Sequence, residues 1–329
     1  MSPKWEGAVD RALARRKAFL LRADREGTDA MRLFSGQREG IPGLIVDKCA
    51  DVAFVYAHEG RCPVKADELK GLGEKYVASG LVETVYLKRL ATERFRAQAD
   101  DKVKSAIPLA GRPSPAEIQA REYGVRYLVR PYDGFMVGLF PDQRENRRFL
   151  AERSQGMRVL NLFAYTCAFS VATALQGAEV TSVDLSKKYL EWGKQNFELN
   201  GLDPKEHRFV VRDAVEFLSK SLKREETYDL VIVDPPSFSR DHKGKPFSVA
   251  KDFKRLFLLA VSVLEPENGR IFFSTNLSSW NSRLLRHRIE SLREHTGVLE
   301  WTKLPTTGED FRLDEHPLAC AYLKLKETI

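Results

Sequence analysis

The chain has only four cysteines, Cys49, Cys62, Cys167 and Cys320, and no two of them form a C-x-x-C pair. A disulfide framework or a thiolate zinc site therefore does not organise it, no metal centre is expected, and a reducing cytoplasm is the expected setting. Long apolar runs are missing too: nothing approaches the roughly eighteen consecutive residues of a membrane span. The opening stretch, MSPKWEGAVDRALARRKAFLLRADRE, is charged throughout and lacks the apolar heart of a signal peptide. Histidine is sparse, and His58, His207, His242, His287, His295 and His316 fall mostly in polar loops or on helix faces. None is assigned a catalytic role.

In bulk the composition is that of an ordinary globular protein. At 329 residues, 43% hydrophobic and 30% charged, the chain can bury a full core in one large or two moderate domains. A formal net charge of +7 favours polyanionic partners through counterion release, although many metabolic enzymes are as basic.

The informative stretch runs from Arg158 to Phe238. Arg158–Phe163 is a short apolar run, as expected of a buried parallel strand. A loop, Ala164–Ala168, leads into an apolar helix ending near Gly177, and a second strand, Glu179–Asp184, finishes on an acid. Strand, loop, helix, strand and acid, with about twenty residues from loop to acid, make the nucleotide-binding half of a doubly wound sheet. Ser186 caps the next helix, which Asn200-Gly201 stops. Arg208–Arg212, Leu230–Val233 and Arg270–Ser274 read as further strands, followed by Asp213, by Asp234-Pro235-Pro236 and by Thr275-Asn276 respectively. Helices are expected over Val215–Leu222, Asp252–Leu264 and the basic Leu284–His295, and a closing strand pair over Trp301–Leu304 and Ala319–Lys326. The polar, basic loop Ser239–Ser248 is either a lid or a surface loop.

Upstream, residues 1–27 read as a basic helical segment in which Arg11, Arg15, Arg16, Lys17, Arg22 and Arg25 form a solvated face or an RNA-contacting arm. Residues 28–130 read as a small α/β domain, with strands at Leu44–Asp47, Val52–Ala57 and Val82–Lys88 and a helix at Lys65–Ser79. The remainder, 131–329, reads as a second domain built on the nucleotide-binding half-sheet. Arg121–Arg130 and Tyr132–Gly138 alternate as paired strands would, turning near Pro131–Gly134. Asp142, Gln143, Arg144 and Asn146 then open a helix; as a group they are either caps or part of the binding site.

A second absence discriminates between nucleotides. The loop Phe163-Ala164-Tyr165-Thr166-Cys167-Ala168-Phe169 contains no glycine, and a dinucleotide needs glycines there so that backbone can approach the pyrophosphate. S-adenosylmethionine has no phosphate and carries a sulfonium cation, so a bulkier loop backed by carboxylates suits it. Asp234-Pro235-Pro236 supports the same choice. A stiff turn at a strand end fixes carbonyls and a carboxylate beside the crevice, able to hold the donors of a flat base while Phe238 stacks on the ring.

The segments FPDQR, NLFAYT, VDLSKKYLEWGKQNFELNG, VDPPSFS and FFSTN resemble the class I S-adenosylmethionine-dependent methyltransferases of bacterial 23S ribosomal RNA. The likeness covers roughly 120–329 and is strongest to the guanine-N7 half of the bifunctional large-subunit enzyme. The preceding RLFSGQREGIPGLIVD stretch resembles the small domain ahead of the cytosine-C5 relatives. The resemblance implies a Rossmann-like α/β sheet closed by an antiparallel strand, and a partner in 23S rRNA or a pre-ribosomal particle. It implies a cofactor loop of Asn161, Phe163, Tyr165 and Thr166. Asp184, with Leu185 beside it, would hold the ribose, and Asp213 the adenine end. Asp142 and Arg144 would line the same pocket. Asp234 and Pro235, with Pro236, Phe238 and Asn276, would serve the methionine end and the target base. One departure is Cys167, where related members carry glycine.

The target atom follows from chemistry. Cytosine C5 needs a thiolate to attack C6 first, and the cysteine of the C5 relatives is replaced here by Thr275 or Asn276. Core packing is the expectation for Cys167, Cys49, Cys62 and Cys320. Guanine N7 carries its own lone pair and needs only orientation and electrostatic care. Adenine N6, an amide acceptor, or a non-catalytic RNA-binding or ribosome-assembly role for the same fold stay open, as does the oligomeric state.

Overall fold

The computed structural model of this chain describes residues 4–90, 105–240, 246–314 and 317–326. Two compact units divide it: Met1–Arg144 with Thr307–Glu315, and Glu145–Thr306 with His316–Ile329. The expected divisions at 27/28 and 130/131 therefore differ from the compact units at three places. The N-terminal helix, the stretch up to Arg144, and a short segment from near the C-terminus all belong to the first unit.

In the first unit, helix α1 (Lys4–Arg25) buries Trp5, Ala8, Val9, Ala12, Phe19 and Ala23, a three-to-four-residue stripe that packs on the sheet. Arg16 lies in that stripe and is buried; its guanidinium bonds Glu39 at 2.7 Å and the carbonyls of Arg32 and Asp310. Arg15 reaches Glu39 and Arg22 reaches Glu309. Half of the six basic side chains expected on an open face are thus committed within the unit. The sheet runs β1 (Met31–Ser35), β2 (Leu44–Cys49), β3 (Val52–His58), β4 (Thr84–Leu90) and β5 (Ala110–Gly111) in that order. Only β3 and β4 pair in parallel, and α2 (Ala66–Ala78) makes the crossover between them. A separate hairpin joins β6 (Ile118–Glu122) to β7 (Val125–Val129). Its turn is Tyr123-Gly124, both at positive φ, the geometry a two-residue hairpin requires. The expected pairing of 121–130 with 132–138 is corrected: the apolar alternation was legible one turn too late.

The second unit contains the expected sheet. Its strands are β8 (Arg158–Leu162), β9 (Glu179–Asp184), β10 (Arg208–Val211), β11 (Leu230–Val233), β14 (Arg270–Thr275), β15 (Leu299–Trp301) and β16 (Ala319–Leu325). They stand in the order β10-β9-β8-β11-β14-β16-β15. The first five are parallel, while β16 runs antiparallel to β14 and to β15. Between β11 and β14 lies a small hairpin, β12 (Phe238–Arg240) and β13 (Pro246–Ser248). The buried parallel strands are near-continuous apolar runs, as strands covered on both faces must be. Helices α3 (Arg144–Ala151), α4 (Ala168–Ala174), α5 (Lys187–Leu199), α6 (Ala214–Lys223), α7 (Val249–Val261), α8 (Ser282–Glu290) and α9 (Arg293–Thr296) complete the described residues. Residues 241–245 of the Ser239–Ser248 loop, with His242, and also His316, lie outside the described residues.

Candidate active site

The order of the sheet reverses between β8 and β11, since β9 and β10 follow on one side and β14 on the other. A crevice at the carboxyl ends of β8 and β11 is where such sheets bind ligands. The residues at these ends are Phe163–Cys167 after β8, Asp184 closing β9, Asp234 after β11, and Thr275-Asn276 at the end of β14.

The loop after β8 is strained in a regular way. Phe163, Tyr165 and Cys167 have φ of 57°, 49° and 62°, in the left-handed region that side chains other than glycine rarely occupy. Each such residue costs on the order of 1–3 kcal/mol and persists only where its surroundings over-determine it. Here Ala164 N donates to Val183 O at 3.0 Å, Tyr165 N to Asp184 Oδ2 at 2.9 Å and Cys167 N to Ala164 O at 2.7 Å. Asn196 Nδ2 donates to Thr166 O at 2.9 Å. The Tyr165 ring stands edge-on to Tyr189 at 4.5 Å, and Phe163 lies 5.4 Å from Phe247 of β13. Left-handed geometry explains why glycine suits position 167.

Asn161 and Thr166, expected in the cofactor loop, are both 1% exposed. Asn161 Nδ2 donates to Ser170 Oγ at 2.9 Å, and Ser170 and Ser182 hydroxyls share a 2.8 Å bond, so these groups brace the loop from beneath. Asp184 is partly buried. Burial pushes its carboxyl above the ordinary carboxylate range, opposed by N–H donors from Ser186, Tyr165 and Leu185. Both oxygens are thereby held in place at a strand end with lone pairs still able to accept from a diol. Asp213 Oδ1 accepts from Glu216 N at 2.9 Å and caps α6, which leaves its other oxygen for a ligand.

At β11 and β14 the structure gathers Asp234, Ser237, Ser274 and Asn276. Ser274 Oγ donates a short bond to Asp234 Oδ1, and Ser237 Oγ donates to Asn276 Oδ1 at 2.7 Å. Pro235 is buried, Pro236 exposed, and Phe238 is 48% exposed, open to stack on a planar ligand. Ser274 was not among the expected residues; FFSTN names it, but only the strand register shows which of its polar residues faces Asp234.

Asp142 and Arg144 belong to the first unit. The Arg144 guanidinium, expected to line the pocket, is 1% exposed and held by Asp310 at 2.8 and 3.2 Å and by the carbonyl of Ala30. It braces the FPDQR turn against the Thr307–Glu315 segment. Nothing in the sequence marked Asp310.

The cysteines also separate. Cys167 is fully buried and its thiol is pushed up to about 12 by burial, partly offset by the Ser182 and Ser170 hydroxyls. Cys49 is buried with its thiol raised well above the usual range. Cys320 corrects the expectation of simple core packing. It pairs directly opposite Ser274 at the edge that carries Asp234, and Asn146 Nδ2 donates to its sulfur at 3.5 Å.

These residues fit S-adenosylmethionine: a fixed carboxylate able to accept from a ribose diol, a loop without glycine, which suits a ligand that lacks a phosphate, and further strand-end acids compatible with a sulfonium. Sheet order, antiparallel β16 and the two strand-end acids together define a class I methyltransferase. A family model described as S-adenosylmethionine-dependent methyltransferase matches residues 90–281, more than half of the chain. The chain belongs to that family. It is 34% identical to a Bacillus subtilis protein provisionally named ribosomal RNA large subunit methyltransferase YwbD, over 92% of this chain and 74% of that one. It is 41% identical to ribosomal RNA large subunit methyltransferase K/L of Shewanella loihica over 49% of this chain, a match that spans only 22% of the relative's length. Among solved structures, SMU.776, a provisionally assigned methyltransferase complexed with SAH, superposes with a TM-score of 0.81 at 30% identity, covering 97% of this chain and 80% of that one. No helix among the described residues is long and apolar enough to cross a membrane.

Proposed function

We propose that this methyltransferase modifies large-subunit ribosomal RNA in the cytoplasm, at guanine N7, by direct transfer. The observation that carries the reading is the arrangement at β11 and β14: a carboxylate oriented by Ser274, a Ser237–Asn276 bond beside it and an exposed Phe238. Such a site orients a flipped base and supplies no nucleophile of its own. The relatives named for large-subunit rRNA support the substrate class. S-adenosylmethionine supplies an electrophilic methyl, and N7 brings the lone pair that takes it. Asp184 holds the ribose, with Leu185, Phe163 and Tyr165 around the nucleoside and Asp213 towards the adenine. Asp234 and the Pro235-Pro236 carbonyls orient the base while Phe238 stacks on it.

Cytosine C5 is the second reading, favoured by one observation: Cys320 stands across from Ser274. The test is methyl transfer from labelled S-adenosylmethionine to unmodified 23S rRNA, with nucleoside mass spectrometry of the digest. 7-Methylguanosine that vanishes in Asp234→Ala and persists in Cys320→Ser is the expected result. 5-Methylcytidine that vanishes in Cys320→Ser would establish the second reading instead.

A further inference from the structure

The helices that follow β11 and β14 both begin at the carboxyl edge of the sheet and run away from it. At their starts they carry cations. Lys251, Lys254 and Arg255 occupy the first two turns of α7, and Arg283 the first turn of α8, which has no acid there. All four are exposed, and among the described residues none has an ion-pair partner. At the opposite edge, by contrast, Arg158 pairs with Asp229 and Arg224 with Glu226. Cations in a first helical turn oppose the helix dipole, so local helix energetics does not explain Lys251 or Arg283.

The two helix starts are joined to each other and to the acidic turn. Phe253 of α7 meets the Trp280 ring at 5.2 Å, and Arg288 of α8 lies over the same ring at 4.5 Å. Val249 N, at the head of α7, donates to Ser237 O, and Ser237 Oγ to Asn276. The cations therefore stand on a packed base beside the residues that face the substrate.

We infer that Lys251, Lys254, Arg255 and Arg283 form a strip that binds the phosphate backbone of the RNA flanking the target base. This rests on the RNA reading above and adds the surface that reading lacks. Phosphate contacts of this kind fix register without reading sequence, and each releases counterions.

The test is filter binding of labelled, unmodified 23S rRNA transcript as a function of KCl, with calorimetry of S-adenosylhomocysteine as a control for the fold. The variant carries Lys251→Gln, Lys254→Gln, Arg255→Gln and Arg283→Gln. Its slope of log K against log salt should be shallower than the parent's by about 3, since each phosphate neutralised by a cation adds roughly 0.7–0.9 to the slope. Cofactor affinity should stay unchanged. Lys223→Gln with Arg224→Gln, at the far end of α6, should leave the slope as it was. A parent that binds the transcript with a slope the fourfold variant does not alter overturns the strip and leaves the RNA reading standing. A parent with no salt-dependent binding overturns both.

Discussion

Gly193 is the hole into which Cys167 fits. A Cβ built on Gly193 would lie 2.3 Å from the Cys167 sulfur and 2.9 Å from its Cβ, closer than real atoms approach. Cys167 holds a left-handed conformation that favours glycine, and its side chain survives there because helix α5 carries a glycine opposite. Gly193→Ala should therefore overpack the site and destabilise the protein by about 1–3 kcal/mol, and weaken cofactor binding by distorting the loop. Cys167→Gly removes both the strain and the clash, so the double variant should recover most of the loss. A urea-denaturation double-mutant cycle checks this; additive effects would mean the two side chains do not share the space.

The Arg144–Asp310 pair is a buried fixed point of the first unit. Both side chains are nearly or fully buried, and Asp310 also accepts from Arg32 N at 3.0 Å. Asp310→Ala leaves a buried guanidinium without its carboxylate, a loss of about 3–5 kcal/mol. The double change Arg144→Met with Asp310→Leu should cost far less, because no charge is stranded. Thermal and urea midpoints of the two variants distinguish this from a pair that contributes through geometry alone.

The second-unit sheet was legible because its strands announce themselves: Glu179–Asp184 and Leu230–Val233 lie where the apolar runs placed them, the first ending on Asp184 and the second followed by Asp234. Local chemistry was legible too, as in Ser186 accepting from Tyr189 N to cap α5. What stayed hidden depends on long-range register. Cys320 reads as one more strand residue until the antiparallel pairing of β16 sets it across from Ser274. Arg16 reads as one of a basic series until its stripe position buries it on Glu39. Arg144 reads as a ligand residue because motif spacing is silent about Asp310, 166 positions away.

Held against the ribose as proposed, Asp184 should make cofactor binding sensitive to acid. Its carboxyl is raised from 3.8, chiefly by burial, so it gains a proton at a higher pH than an ordinary aspartate. In the role proposed for it, the ionised form accepts from the ribose hydroxyls. Affinity should hold at neutral pH and fall, by up to tenfold per unit, once the pH drops below the raised value. Stability runs the other way: this group's contribution is fullest below 3.8 and is lost as pH rises through the folded value, so acid should not unfold the protein through Asp184. Calorimetric titration of S-adenosylhomocysteine from pH 7.5 downwards, beside circular dichroism, separates loss of binding from loss of fold. Asp184→Ala should show no measurable binding at any pH.

Ser274 tests whether orientation of Asp234 matters for transfer. Its hydroxyl donates to Oδ1 of that carboxylate from the neighbouring strand, and it is itself fully buried. A hydrogen bond to a charged acceptor is worth about 1.5–3 kcal/mol, so Ser274→Ala should lower kcat by roughly 10- to 100-fold if the carboxylate must be aimed at the base. Cofactor affinity should barely change, since Asp184 and the β8 loop are untouched. Ser274→Thr, which keeps the hydroxyl, should recover part of the rate. Single-turnover methyl transfer together with S-adenosylhomocysteine binding reads both quantities. An Asp234→Asn variant, which keeps an acceptor for Ser274 but loses the charge, would show that aim and not charge is what matters if it retained the parent's rate.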